Sequence, residues 1–360
     1  GWRVRTDRGS GRSQPVTETG SLPTVDISNI ETVSSLPRIV STTFGASVKS
    51  VFTAQLEGGV GDVLALENEN AQLDHIKEIQ EELLAGSAYL TSAGATTTFT
   101  VPAAIAKHFK VGDAVAQYDA SATGHDRQSG SVVSAVNTST GVVTVASGTT
   151  FADGDIAYIY SRAGMTSIDD VVMQDGAAVG GVTSRVRAYD LTINDRAAGN
   201  WNAGASVSYN GGTGRALSLT LLDTAIQKIR ENGGEPKLIL LGHDQYFNLE
   251  RLLNSNQRYM GQEEYQVGVG AERTFPGTRT GLVLATYQGI PILPDADVAK
   301  SVATNDSVLG SNVYVLDTDY LEIAVAQPTQ YVENRDYFAA NALVVRGLLY
   351  TMAELRCKNI

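Results

Sequence analysis

The stretch that decides the fold is RALSLTLLDTAIQKIRENGGEPKLILLGHDQYFNLERLLNSNQRY, residues 215–259. Apolar residues recur at helical spacing over residues 217–230, and the Asn-Gly-Gly that follows is typical of a helix end. The uninterrupted apolar run at 238–241 suits a short strand buried on both faces, and a further helix is predicted over residues 243–255. A helix, a buried strand and another helix predict one layer of an α/β unit.

The apolar face of the first of these helices is expected to pack on the buried strand. Four residues form that face: Leu221, Leu222, Ile226 and Ile229. Strands dominate the sequence that follows, in GLVLATYQGIPILPD (281–295), SNVYVLDTDYLEIAVA (311–326) and ALVVRGLLYTMAELRC (342–357). The C-terminal part of the chain is therefore predicted to combine α/β and β structure.

Residues 64–85 carry the clearest helical pattern. Their apolar residues fall at helical spacing and are expected to form the buried face: Leu66, Leu73, Ile76, Ile79, Leu83 and Leu84. Glu67, Glu69, Glu78, Glu81 and Glu82 lie largely on the other side. The helix is expected to end at Gly86, and His75 is interpreted as a surface or rim residue rather than a ligand.

The segment before this helix is polar, turn-rich and locally basic. In the first twenty residues Arg3, Arg5, Arg8 and Arg12 stand against only Asp7 and Glu18, and no period of 3.6 or 2 is sustained over residues 1–40. Such a segment buries no core of its own. It is expected to be disordered or to lie extended on another surface, and a floppy basic tail is the plainer alternative to an arm that reaches a neighbouring subunit. Residues 39–55 then favour a β-hairpin or a long two-stranded loop.

Residues 88–160 form a compact β-unit by composition, with little charge and much Thr, Val, Ala and Gly. The sequence SVVSAVNTSTGVVTV predicts a hairpin with its turn at residues 137–141. Gly112-Asp113 and Gly154-Asp155 echo each other, each after an aromatic residue and before a strand. Neither has the alternating carboxylates of a calcium loop, so turn chemistry is the better explanation.

Composition limits the classes of protein. With 27 basic and 39 acidic residues the chain has a net charge of −12, which argues against wrapping nucleic acid on a broad basic face. The charged fraction of 18% and apolar fraction of 42% suit a folded protein. One cysteine excludes a disulfide framework, and no window is apolar enough for a membrane span. The first residues lack a methionine and a signal core, as would a processed end or the start of a trimmed chain.

The search for chemical motifs predicts no catalytic, cofactor or metal site. The four histidines are scattered and Cys357 suits a small core residue. The glycine-rich residues 211–214 lack the full dinucleotide fingerprint. Asp317, Asp319 and Glu322 form the densest carboxylate cluster, which could hold a cation or pair with an arginine, although a solvated turn is the simpler interpretation.

The order of these segments resembles the major capsid proteins of tailed bacteriophages and related viruses. The resemblance rests on HIKEIQEELLAG (75–86), MTSIDDVVMQDG (165–176), the stretch 215–259, YQGIPILPDADV (287–298), VYVLDTDYLEIAV (313–325) and RGLLYTMAELRC (346–357). It covers about four fifths of the chain. It lies in the order and the residue patterns of the segments and includes no invariant catalytic motif.

The resemblance implies an α+β chain with the Hong Kong ninety-seven-type capsid fold. By position, the chain would divide into an N-terminal arm (1–32), an extended β-hairpin loop (33–65), a peripheral domain with a spine helix (66–87, 163–213 and 327–360), an inserted all-β domain (88–162) and an axial α/β domain (214–326). The inserted domain departs from the simplest plan of the family and is expected on the outer face of the shell. Arg3, Arg5, Arg8 and Arg12 would belong to the intersubunit arm.

The resemblance also implies a function in the virion capsid without cofactor or catalysis. The chain would assemble with itself as hexamers and pentamers into an icosahedral shell around double-stranded DNA, with portal, scaffolding and decoration proteins as further partners and no membrane. An encapsulin-like compartment that holds a cargo enzyme is the first alternative, and a ligand-binding or enzymatic protein using the β-unit is the second. A covalent subunit crosslink through Lys49 has no identifiable partner, and we expect none.

Overall fold

The computed structural model describes most of the chain in separate stretches: residues 2–5, 20, 30–54, 62–86, 88–91, 93–95, 97–118, 126–147, 151–153, 155–172, 189, 216–231, 233–256, 286–299, 310–335 and 343–358. The helices in these stretches are α1 Val48–Ala54, α2 Val63–Leu84, α3 Ala103–Ala106, α4 Ile168–Val172, α5 Leu219–Glu231 and α6 His243–Asn256. None of these described helices is long and apolar enough to cross a membrane.

The strands of the described stretches form four sheets. They are β1 Trp2–Arg5, β2 Ile30–Val33, β3 Arg38–Ser47, β4 Ala88–Leu90, β5 Ala93–Ala95, β6 Thr98–Thr100, β7 Ala114–Tyr118, β8 Asp126–Asn137, β9 Val142–Val145, β10 Ile156–Ser161, β11 Leu238–Leu241, β12 Thr286–Tyr287, β13 Ile290–Pro294, β14 Val313–Leu316, β15 Leu321–Asn334 and β16 Val344–Cys357. The sheet orders are β1-β2, β4-β10-β7-β8-β9-β6-β5, β12-β13-β11-β14 and β15-β16-β3. The chain is therefore a mixed α and β protein.

The three-stranded sheet joins the two ends of the chain. Its central strand β16 pairs antiparallel with β3, from Val344 opposite Ser47 to Ala353 opposite Arg38, and with β15 on its other side. Helix α2 packs across β3 and β16, and its N-terminus is capped by the Asp62 carboxylate, which accepts from two backbone amides. The sheet thus holds the long helix in place.

The prediction for residues 39–55 is half wrong. Residues 38–47 are extended as expected, but β3 forms no hairpin with its sequence neighbours and pairs instead with β16. Residues 48–54 form the helix α1, although valine and phenylalanine favour strands. Tertiary packing against α2 overrides local preference here, since Ala54 of α1 is buried.

The α/β layer predicted from residues 215–259 is confirmed. Strand β11 lies in the middle of its sheet, parallel to β13 and antiparallel to β14. Ile239 and Leu241 are fully buried against Leu222 and Ile226 of α5, while Leu240 packs on the opposite side of the sheet. A continuous apolar strand is the expected pattern for a strand covered on both faces.

Only part of the predicted contact face of α5 reaches the strand. Leu222 and Ile226 belong to the cluster around β11, whereas Leu221 and Ile229 are half-buried and lie outside it. The contact face is therefore narrower than the apolar pattern suggested, because the strand accepts one line of side chains from the helix.

The seven-stranded sheet contains only strands from residues 88–161 and encloses its own apolar core. That core includes the close ring pairs Phe99–Phe151 and Phe99–Phe109. The predicted hairpin turn at 137–141 is confirmed between β8 and β9, with Gly141 at a φ of 76° that favours glycine. We call residues 88–161 the β-unit; its first and last strands, β4 and β10, are antiparallel neighbours, so both ends leave the unit side by side.

The echo between the two Gly-Asp pairs is confirmed as turn chemistry. The buried Asp113 carboxylate accepts from the Lys110 amide, and the buried Asp155 carboxylate accepts from the Ala152 amide, in each case three residues earlier. Each aspartate therefore closes a tight turn ahead of a strand.

Replacing Leu222 with Ala should lower the free energy of unfolding by about 2–5 kcal/mol, because its side chain is fully enclosed between α5 and β11. Urea unfolding of the full chain measures the change. Leu221→Ala on the same helix is the matched control and should cost clearly less, since Leu221 is half-buried outside the cluster. Equal losses for the two variants would contradict the assigned contact face.

Candidate functional site

The face of α2 that meets the sheet is built from small and polar residues. Ala71 and His75 are both buried there. The His75 ring bridges Thr42 on β3, at 3.0 Å, and Thr351 on β16, at 2.7 Å. The prediction of a surface histidine is therefore wrong: threonines line the sheet beneath the helix, and a ring with two nitrogens can hydrogen-bond to both sides.

The predicted buried face of α2 is wrong between Leu66 and Ile76, because small and polar residues occupy the side of the helix that meets the sheet. Leu66, Leu73 and Ile76 are exposed by 44%, 60% and 63%. Ile79, Leu83 and Leu84, in the second half, do pack against neighbouring clusters. The structure thus leaves an apolar line on the outer side of the helix, where no element among the described residues covers it.

The second half of α2 is the place where the three-stranded sheet, the β-unit and the α/β layer meet. Lys107 of the β-unit donates to Glu81 of α2 at 2.9 Å and to Asp297, after β13, at 2.6 Å. Lys110 pairs with Glu78 one turn earlier on α2. The two lysines are three residues apart, as are the two glutamates, so the ion pairs align along the helix. We call this region the junction.

Arg162 closes the base of the β-unit. Its guanidinium pairs with Asp170 of α4 and donates to the carbonyl of Gly86, where the chain enters the β-unit. The side chains of Arg162 and Asp170 are exposed by only 9% and 3%. Burial alone would lower the pKa of Arg162, but the adjacent Asp170 carboxylate raises it, so the guanidinium stays charged.

The two adjacent aspartates of α4 connect different parts of the chain. Asp170 exchanges hydrogen bonds with Ser167 in a reciprocal cap of the helix start. Asp169 accepts from the Tyr314 hydroxyl on β14 at 2.8 Å. One short helix therefore ties Arg162 to the α/β layer, and the sequence SIDD carries both contacts.

The junction also buries groups that would normally be charged. Glu82 accepts from the Met165 amide and Asp113 from the Ala163 amide, and burial raises the pKa of both carboxyls. The ring of His108 stacks on Tyr89 at 5.9 Å, its Nδ1 has no hydrogen-bond partner, and burial lowers its pKa to about 4. The cavity among these groups leaves about 10 Å³ for the centre of a water molecule, which is room for about one.

The predicted arm residues lie only partly within the described chain. Arg3 is exposed on β1, Arg5 ends the same strand, and Arg8 and Arg12 lie outside the described residues. Strand β1 pairs antiparallel with β2, from Trp2 opposite Val33 to Arg5 opposite Ile30. The arm is extended where it is described.

The carboxylate cluster at 317–322 is paired with protein groups. Asp317 accepts from the Glu235 amide at 2.9 Å and Asp319 from the Lys237 ammonium at 2.6 Å. Glu322 pairs with Arg356 and with Lys358. No group of three or more potential metal ligands occurs among the described residues.

The other candidates of the sequence are dispersed. Cys357 is buried in a cluster with Leu355 and Val171, as expected for a core residue, and Lys49 is exposed on α1. His243 is exposed at the start of α6. His125 and the glycines of 211–214 lie outside the described residues.

Sequence reasoning missed the junction. Lys107, Arg162 and Asp297 are charged residues outside the helices and strands, where charge usually indicates solvent exposure, and Lys107 is 190 residues from Asp297. The only local signals were the matched spacing of two lysines and two glutamates and the repeated Gly-Asp turn.

Comparison with known families shows a match over most of the chain. The model of the SU10 major capsid protein family matches residues 16–336. No curated protein matches the chain.

Several solved structures are similar to the chain. The capsid asymmetric unit of cyanophage A-1(L) matches with a TM-score of 0.57 and 13% identity, over 99% of this chain and 84% of that chain, and so shares the fold. A structure from Mycobacterium phage Ogopogo matches with a TM-score of 0.40 and 10% identity, over 99% and 83%. The asymmetric unit of the bacteriophage PhiM1 mature capsid gives 0.35 and 10%, over 99% and 79%.

Replacing Arg162 with Met should lower the free energy of unfolding by about 3–5 kcal/mol, because Asp170 stays buried without its guanidinium. Thermal or urea unfolding of the full chain measures the loss. Lys237→Met, which removes the exposed pair with Asp319, is the control and should leave the midpoint nearly unchanged. A loss no larger than that of the control would show that the pair of Arg162 with Asp170 contributes little to stability.

Lowering the pH should destabilise the chain through His108. Because burial lowers its pKa from 6.5 to about 4, the unfolded chain takes up this proton first as the pH falls. The contribution of the neutral His108 to the free energy of unfolding is fully present above pH 6.5. It falls by about 3 kcal/mol as the pH drops toward about 4. His108→Phe keeps the stack on Tyr89 without the titration, so its stability relative to wild type should rise as the pH falls.

Urea unfolding at a series of pH values compares the two chains. The raised pKa values of Glu82 and Asp113 make the folded chain more stable as the pH falls, which opposes the effect of His108. Both residues are present in wild type and in the variant, so their effects largely cancel in the difference between the two chains. A pH-independent difference between wild type and His108→Phe would refute the buried neutral histidine.

Proposed function

The chain belongs to the SU10 major capsid protein family, which places it in the virion capsid, and on that premise we propose how it works there. Copies of the chain assemble as hexamers and pentamers into an icosahedral shell around packaged double-stranded DNA. The single observation that carries this proposal is the family match over residues 16–336. The fold shared with the cyanophage capsid subunit supports it.

The surface of the isolated chain supports assembly with further copies. The edge strand β15 is exposed along its length and carries Ile323, Val325, Tyr331 and Val332, each at least 45% exposed. A long edge strand with exposed apolar residues offers backbone groups and apolar area to another chain. A shell subunit would bury both against its neighbours.

The arm is proposed as a contact between subunits. Within the described residues the ribbon of β1 and β2 is a sheet of two strands, and such a sheet is marginal on its own in water. Val33, at the end of β2, anchors the ribbon in a buried cluster with Leu355 and Cys357. The arm therefore has one fixed end and gains stability by lying on another copy.

We propose that the chain divides as the resemblance to capsid proteins implies. The arm is 1–32, the extended loop 33–65, the peripheral domain 66–87 with 163–213 and 327–360, the inserted domain 88–162, and the axial domain 214–326. Within the loop, β3 fixes the base on the three-stranded sheet. The spine helix is α2, and its contacts with three parts of the chain suit that role.

The β-unit is proposed to stand on the outer face of the shell, where it contacts neighbouring capsomers or decoration proteins. Its adjacent ends and separate core are those of a domain inserted into a loop. Lys107, Lys110 and Arg162 fix it to α2 and α4, so it would be a rigid projection.

DNA, portal and scaffolding proteins are proposed as further partners. DNA would be contacted without sequence specificity on the inner face, and the net charge of −12 limits such contacts to local basic segments such as the arm. The encapsulin-like compartment is the less favoured reading, because the matched family is one of virus capsid proteins.

Sedimentation of the expressed full chain tests the shell proposal. We expect megadalton particles that dissociate into capsomers, and particles from infected cells should protect double-stranded DNA from nuclease. Protein cargo in place of DNA would favour a compartment. A chain that stays monomeric at every concentration and ionic strength would contradict the proposed function.

A further inference from the structure

The β-unit is attached to the rest of the chain at two places along α2. Its two connections leave the unit side by side and meet the C-terminal end of the helix at Glu82 and Gly86. Up to one turn earlier on the helix, Glu78 and Glu81 pair with lysines of the β-unit. These lysines belong to the four consecutive residues 107–110, which we call the latch. The latch is a lateral contact beside the two connections.

The two connections have the composition of a hinge. Each carries a glycine where it passes another part of the chain, Gly86 before β4 and Gly164 after β10. A Cβ atom at Gly86 would lie 2.9 Å from that of Ala299, and one at Gly164 would lie 3.0 Å from the Glu82 carboxylate. The close approach requires glycine at both places. Glycine also gives the backbone its widest freedom of rotation, so two adjacent connections of this kind can turn together.

The latch encloses one neutral ring. His108 is 8% exposed, follows Lys107 in the sequence and stacks on Tyr89 with ring centroids 5.9 Å apart. Its ring borders the cavity between the β-unit and α2. No described protein group accepts a hydrogen bond from its Nδ1, so a proton added there gains no partner while the latch is closed.

The charged groups around His108 disfavour a further positive charge. The neighbouring cations are Lys107, Lys110 and Arg162. The neighbouring carboxyl groups are those of Glu81, Glu82, Asp113 and Asp297. Glu81 and Asp297 already pair with Lys107. Burial raises the pKa of Glu82 and Asp113, so these two lose their charge as the pH falls and do not offset an imidazolium. Burial and the three cations together lower the pKa of His108 to about 4.

We propose that protonation of His108 releases the latch, so that the β-unit swings away from α2 about its two connections and keeps its own fold. The aromatic core of the β-unit around Phe99 moves as one body. The pair of Arg162 with Asp170, at the exit connection, serves as the pivot. In the open arrangement the imidazolium reaches water, and Lys107 leaves its two carboxylates. This motion belongs to the single chain and does not depend on assembly.

Thiol labelling of a full-length Ala85→Cys chain tests the release. Ala85 is buried and lines the cavity beside His108, so a thiol at this position reacts only when the β-unit opens. The native Cys357 is buried in a different cluster, with Leu355, and reports unfolding of the whole chain in the same sample. Peptide mass spectrometry follows the two thiols separately. A short peptide with a free cysteine corrects for the change in thiolate with pH.

The corrected labelling rate at position 85 should rise as the pH falls. With a pKa of 6.5 in the open form and about 4 in the closed form, His108 makes the opening constant about 20-fold larger at pH 5 than at pH 7. The same thiol in a His108→Phe chain should lack this increase. Position 85 should also label much faster than Cys357 at each pH, because opening the latch leaves the other cores folded.

Three results would overturn the proposal. Equal labelling rates at position 85 and Cys357 would mean that the β-unit opens only when the whole chain unfolds. An equal increase with and without His108 would mean that other groups drive the opening. No increase between pH 7 and pH 5 would mean that the latch does not respond to acid.

Carbodiimide labelling of carboxyl groups provides the test without a new cysteine, should Ala85→Cys fail to fold. Glu81 is compared with Glu69, an exposed residue of the same helix, in wild type and in His108→Phe. The ratio of Glu81 labelling to Glu69 labelling at pH 5 should be higher in wild type, since the released latch frees Glu81 from Lys107. Equal ratios in the two chains would overturn the proposal.

Discussion

The buried ion pair between Arg162 and Asp170 is the contact on which the arrangement of the chain depends. It lies where the chain leaves the β-unit, and the same guanidinium holds the carbonyl of Gly86 where the chain enters. A buried charge without a partner is strongly destabilising, so the folded chain must keep Arg162 next to both Asp170 and Gly86. Asp169 on the same helix extends that constraint to β14. The orientation of the β-unit, the long helix and the α/β layer thus follows from a few polar contacts.

The apolar residues on the outer face of α2 are exposed because the inner face of the helix has to contact a polar part of the sheet. Threonines on β3 and β16 select a hydrogen-bonding ring and a small residue, His75 and Ala71, in place of large apolar side chains. The leucines that an amphipathic helix would bury are then free for contacts with other chains. A subunit of a shell needs such surfaces, because its stability in the particle comes from neighbours as well as from its own core.

The sequence predicts the parts of this fold that depend on local pattern. The buried strand β11, its two helices and the turn at 137–141 follow from period, glycine and apolar runs. The face of α2 could not be predicted, because helical period identifies an apolar side but not whether that side meets the same chain. The junction could not be predicted either, since the pair of Lys107 with Asp297 spans 190 residues. Helix α1 formed against the preference of its valines through packing on α2.

A cryo-electron microscopy reconstruction of the assembled particle tests the central claim most directly, which is that a rigid subunit fixed at its junction forms a shell through the faces it leaves exposed. The account predicts a closed icosahedral shell in which Arg162 and Asp170 remain paired, the β-unit projects outward, and density from a neighbouring chain covers the outer side of α2. A discrete small oligomer, or a shell in which the β-unit faces the interior and that side of α2 remains bare, would contradict it.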